Sequence, residues 1–119
     1  MNIEEFRSYC LSKAGTEECL PFDEHTLVFK VMGKMFALTS LNSETFRVNL
    51  KCDPDKSIEL REAYMQIIPG FHMIKKHWNT VYFENGLLNS MLKDLIDHSY
   101  EMVVKGLPKK LKVTLMNLE

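Results

Sequence analysis

This 119-residue chain lacks paired cysteines: Cys10, Cys19 and Cys52 are odd in number and form no CxxC, so neither a disulfide framework nor a zinc ribbon is indicated. A reducing cytoplasm suits that usage better than secretion. Five glycines and four prolines are too few for a disordered or low-complexity chain. No stretch approaches the roughly 18 apolar residues of a membrane span. The beginning, Met1-Asn2-Ile3-Glu4-Glu5, is acidic where a signal peptide is basic, so the expected location is the cytoplasm, with no membrane partner. Also missing are a glycine-rich phosphate loop, a GxSxG elbow, HExxH and a DxD-type metal cluster. The reading therefore expects a non-enzyme without metal or cofactor.

Charge of one sign is not in excess either. The net charge of -1 and pI near 6.4 exclude a globally basic nucleic-acid binder. The balance nevertheless alternates along the chain: -4 over residues 1–29, +3 over 30–82, -3 over 83–104 and +3 over the last fifteen. Any anion-binding surface has to be local.

The sequence contains material for one domain spanning residues 1–119. Asn2 with Glu5 forms a capping box, and Ile3, Phe6, Cys10 and Ala14 share one helical face that Gly15 ends. From Thr26 to Thr39, β-branched and aromatic residues broken at Gly33-Lys34 predict two antiparallel strands around a tight turn. Strict alternation over Phe46–Lys51 predicts a strand with Phe46, Val48 and Leu50 inward and Arg47, Asn49 and Lys51 outward. Asp53-Pro54 starts a helix with the stripe Leu60, Ala63, Tyr64 and Ile67. Pro69-Gly70 reads as a type II turn, followed by a strand pair at Phe71–Lys75 and Trp78–Phe83. Asn89 or Ser90 then opens a long helix with Leu92, Leu95, Ile96, Ser99, Met102 and Val103 on one face, ended by Gly106 and Pro108. The expected fold is a two-layer α+β domain, helices on an antiparallel sheet in the order α-β3-α-β2-α, with a short C-terminal helix to follow.

Two groups of residues suit binding. The run from His72 to Trp78 combines Lys75 and Lys76 with His72, His77 and Trp78, cations for phosphate beside rings that stack on a base. The outward strand face adds Arg47, Asn49 and Lys51, joined by Lys30 or Lys34 from the hairpin. A basic turn and a solvated sheet face account for the same residues without any function. For catalysis, the available arrangement is a Cys52 thiolate activated by His72 or His77.

Several ordered segments are similar to the MmcQ/YjbR family of small bacterial proteins: Pro21-Phe22, Val28-Phe29-Lys30-Val31, Gly33-Lys34-Met35-Phe36-Ala37, and Val48-Asn49-Leu50-Lys51-Cys52-Asp53-Pro54. Leu60-Arg61-Glu62, Pro69-Gly70-Phe71-His72-Met73, Lys76-His77-Trp78-Asn79-Thr80-Val81, Ser99-Tyr100 and Leu107-Pro108-Lys109-Lys110 continue the likeness. Phe71 stands where the family commonly has Tyr, and Asp23 where Gly often follows Pro-Phe. The resemblance implies a fold like that of type III secretion chaperones and a DNA-binding role through projecting β wings, one at Gly33-Lys34 and another near His72–Trp78. The expectation that follows is weak, salt-dependent binding of double-stranded DNA through Lys34, Arg47, Asn49, Lys51, His72, Lys75, Lys76, His77 and Trp78. The alternative is a protein-interaction module, for which an exposed apolar patch is the distinguishing feature; an enzyme is the third.

Overall fold

Asn2 caps the first helix as its spacing predicts. In the structure, a computed structural model describing residues 1–118, its side chain accepts from the Glu5 amide at 2.8 Å while the Glu5 carboxylate accepts from the Asn2 amide at 3.2 Å. That helix, α1, spans Ile3–Leu11 and buries Phe6 and Cys10. It ends before Gly15, whose φ of +69° belongs to the connection into a strand that the composition did not reveal, β1 (Thr16–Cys19). The strands β2 (Thr26–Val31) and β3 (Lys34–Ser40) follow. Their two-residue turn is Met32-Gly33, with φ of +49° and +83°; the positive φ at both positions is the backbone twist a tight hairpin needs. A bulge at Phe29/Lys30 shifts the register, and both Phe36 and Ala37 are buried there.

The strand β4 (Arg47–Lys51) alternates as expected, with Val48 and Leu50 buried. Asp53 accepts from the amides of Asp55 and Lys56 to start α2 (Pro54–Ala63). The helix stops one turn earlier than its apolar stripe suggests, because Tyr64 turns extended and Ile67 belongs to β5 (Ile67–Pro69). The second strand pair is therefore β5 with β6 (Trp78–Tyr82), and Phe71–Lys75 is loop. Helices α3 (Asn89–Lys105) and α4 (Lys109–Met116) complete the chain.

Four helices pack on one six-stranded antiparallel sheet, ordered β1-β2-β3-β4-β6-β5. The α+β class is as read; the strand count before α2 is four instead of three, since the short edge strand β1 carries Glu17 and Glu18 rather than an apolar alternation. At the centre of the core, Phe6 meets Phe29, Phe46 and Phe83 edge to face at 5.2–5.6 Å. Burial of Phe6, Phe29 and Phe83 contributes about 1.5–3 kcal/mol for each ring. Ser99 interrupts the apolar face of α3 for a reason: its hydroxyl accepts from the Lys51 amide at 2.8 Å and donates to the Phe36 carbonyl at 2.5 Å, stitching the helix to two strands. Among the described residues no helix is long and apolar enough to cross a membrane.

Candidate binding groove

The helix-free face of the sheet has its own apolar cluster. Val28, Leu38 and Trp78 are buried there, with Cys19, Met35 and Met73 packed against them, separately from the main core. The register explains the grouping, because Val28 lies opposite Leu38, Leu38 opposite Asn49, and Asn49 opposite Thr80, so all point away from the helices.

Over this face folds the β5–β6 loop, residues 70–77, and four residues outside it hold it down. The Asn49 amide donates to the Phe71 carbonyl at 3.1 Å, the Thr80 hydroxyl accepts from the Phe71 amide at 3.0 Å, and that hydroxyl donates in turn to the Asn49 side-chain oxygen. The Arg47 guanidinium stands 4.5 Å from the centre of the Phe71 ring. From the other side of the sheet, Arg61 of α2 donates to Asn79 at 2.7 Å, to the Trp78 carbonyl at 3.1 Å and to the Lys75 carbonyl. Gly70 has no positive φ, contrary to a type II turn; a Cβ there would stand 2.9 Å from the Trp78 Cβ and 3.0 Å from its carbonyl, so close approach is what requires glycine. His72, by contrast, takes the left-handed region at φ +58°, a conformation that interrupts any strand through Phe71–Lys75.

Between the loop and β3–β4 lies a groove of about 570 Å³. Phe22, Met35, Leu38, Phe71, Met73, Ile74 and Trp78 supply its apolar walls; Arg47, Asn49 and His72 are among its polar ones, and no Asp or Glu lines it.

Of the nine residues that sequence reasoning nominated, the groove brings together Arg47, Asn49, His72 and Trp78. Lys51 shares the strand face, opposite Trp78. Lys34, Lys75 and Lys76 are exposed and His77 half-buried, but none lines the groove. Lys75 donates to the Gly70 carbonyl at 3.0 Å. The half-buried Asn49 orients the loop through its amide. One expectation is corrected. Trp78, 8 % exposed, is part of the apolar cluster and leaves too little ring surface for a stacked base.

Burial pushes the Cys10 and Cys52 thiols up, the wrong direction for a nucleophile. Cys52 touches His77 through backbone, its amide donating to the His77 carbonyl at 2.8 Å. Next to Cys52 in the chain, the Asp53 amide donates to His98 Nε2 at 3.1 Å. No group of three or more His, Cys, Asp or Glu that could hold a metal ion occurs among the described residues.

Phe22, Met35, Leu38, Arg61 and Thr80 escaped sequence reasoning as site residues. Phe22, Met35, Arg61 and Thr80 carried one signal, their place in the family-like segments.

Helices on one face of an antiparallel sheet and a loop-walled groove on the other define a small two-layer α+β domain. The chain belongs to the YjbR family, whose model matches residues 11–102. It is 44% identical over 107 residues to the uncharacterized protein YbdF of Escherichia coli, covering 90% of this chain and 88% of that one. With the uncharacterized Escherichia coli protein YjbR it shares 32% over 118 residues, 99% of this chain and 100% of the other. The crystal structure of Deinococcus radiodurans protein DR2400, a DUF419 domain, is similar at a TM-score of 0.89 and 38% identity, covering 96% of this chain and 87% of that one. A Pseudomonas syringae protein matches at a TM-score of 0.73 and 27% identity over 86% of this chain and 98% of its own.

Proposed function

We propose that the protein is a non-catalytic binding domain that receives the apolar part of a partner in the groove on its helix-free sheet face. The observation that carries this reading is the exposure of Phe22 (64 %), Ile74 (70 %) and Phe71 (39 %) around a cluster of buried apolar side chains. Scattered single apolar side chains need no explanation, but several converging on one concavity mark a binding surface. Its volume lies in the range of about 300–1,000 Å³ common to ligand sites. His72 adds a second mark, since a left-handed non-glycine residue on the groove stores local strain. The test uses N-phenyl-1-naphthylamine, an uncharged apolar fluorophore. Binding by the folded protein, weakened at least tenfold by Phe22→Asp with Ile74→Asp, supports the reading; absence of binding rejects it.

Duplex DNA is the second reading, favoured by the lack of any acidic side chain in the groove and by the exposed Lys34, Lys75 and Lys76. Five phosphate contacts through Lys34, Arg47, Lys51, Lys75 and Lys76 demand a slope of roughly -4.5 for log affinity against log salt. Fluorescence anisotropy with a random duplex measures it, and no binding at low salt removes this reading.

A further inference from the structure

We infer that the groove takes a small amphipathic organic anion, one with an elongated apolar body and a carboxylate or equivalent head. The inference rests on the groove reading above and names its ligand. Its basis is polarity along the sheet. Arg47 and Lys51 bracket β4, and Arg47 pairs with Tyr82 while Lys51 pairs with Trp78, so the groove from Arg47 to Trp78 extends over four residue steps, roughly 13 Å at about 3.3 Å each. At the Arg47 end lie the hydroxyl-bearing Thr26 and Ser40, themselves a cross-strand pair. Toward the Trp78 end lie Met35, Leu38 and Met73. Among the residues that line the groove, the cation Arg47 stands at the hydroxyl-bearing end; Lys51, opposite Trp78, lies on the same face but outside the groove.

Arg47 is also unneutralised. The ion pairs among the described residues are Arg7–Glu18 and Lys13–Asp97, and the Arg47 guanidinium rests on the Phe71 ring. That contact uses none of the guanidinium's N–H groups as a hydrogen-bond donor, so they stay available for bidentate recognition of a carboxylate. In a groove with no Asp or Glu, an anionic head has an attractive partner and no repulsive one. A head alone gains little from an exposed cation; the apolar body supplies most of the affinity and the head sets orientation and selectivity.

The experiment displaces N-phenyl-1-naphthylamine from the folded protein with decanoate and with 1-decanol, equal in chain length and different in charge. Decanoate is expected to compete at least tenfold better than decanol. Arg47→Gln is expected to abolish that preference, each compound's inhibition constant being referred to the variant's own fluorophore affinity, and Arg47→Lys, which keeps the charge, to retain part of it. Melting curves near that of the parent qualify each variant. Equal competition by the two compounds, or a preference for decanoate that survives Arg47→Gln, overturns the anion assignment while the groove reading stands. Failure of the parent protein to bind the fluorophore overturns both.

Discussion

Arg61 Nε donates to the side-chain oxygen of Asn79 at 2.7 Å, joining α2 to the strand that flanks the groove loop. The same guanidinium reaches the carbonyls of Trp78 and Lys75, so one planar fork holds three acceptors spread over the loop's end. Lysine cannot reproduce that geometry, because its ammonium is a single point of donors.

Arg61→Lys is therefore expected to destabilise the fold by about 2 kcal/mol, the scale of hydrogen bonds to a charged donor. Urea denaturation checks it, read as a fall in midpoint at constant slope. A variant with the parent's midpoint contradicts the assignment of Arg61 as the loop's clamp.

Asn49, Thr80 and Phe71 form a closed set of hydrogen bonds. Asn49→Ala and Thr80→Val should each destabilise, and their effects should be non-additive by about 1 kcal/mol, because losing either member already frees the Phe71 backbone. A double-mutant cycle measures the coupling. Hydrogen exchange offers an independent reading, with the Phe71 amide expected to exchange faster in both single variants.

Stability should depend on pH through His98. Burial, followed by the charge of Lys56, lowers its pKa below the ordinary value, against opposing pulls from Asp53 and Glu101. The neutral ring accepts from the Asp53 amide, and protonation removes that acceptor. Since the unfolded chain binds the proton more readily, this contribution is fully present above the unfolded histidine pKa of about 6.5 and is lost as pH falls toward the depressed folded value. Comparing thermal melts of the parent and His98→Gln across mildly acidic pH should show a shallower decline in the variant.

Thiol accessibility gives a further check. Cys10 and Cys52 are buried and Cys19 partly exposed, so a chromogenic disulfide reagent should titrate one thiol promptly in the folded protein and three in denaturant. Cys52→Ala should leave fluorophore binding unchanged. Loss of binding in a folded Cys52→Ala protein would return attention to thiol chemistry.

Much of the fold is local in origin, and those parts were readable. The Asn2 and Asp53 caps, the alternation of β4 and the buried face of α3 each depend on residues within a few positions of one another. Errors arose where a local pattern had a non-local cause. Phe71 and Met73 alternate like a strand, but they do so to wall a groove, with His72 in a left-handed turn between them. Thr16–Cys19 looks unlike a strand because its partner β2 supplies the pairing and its side chains are only partly buried. Part of the candidate site was visible as Arg47, Asn49, His72 and Trp78. The remaining walls come from Phe22, Met35 and Leu38, which only the antiparallel register brings beside the loop.

That loop is one contiguous run, residues 70–77, closed at its base by the pairing of Pro69 with Asn79. It supplies Phe71, His72, Met73 and Ile74 to the groove while contributing little to the main core. The loop thus supplies one wall of the groove, and the rest comes from the sheet, whose other face carries the main core. One wall of the groove is exchangeable as a cassette, provided that Gly70 stays to fit against Trp78 and that Arg61 keeps its hold on the far end. Sequence change confined to this short segment would reshape that wall and leave the strands in place, since loops tolerate change that the sheet beneath them does not.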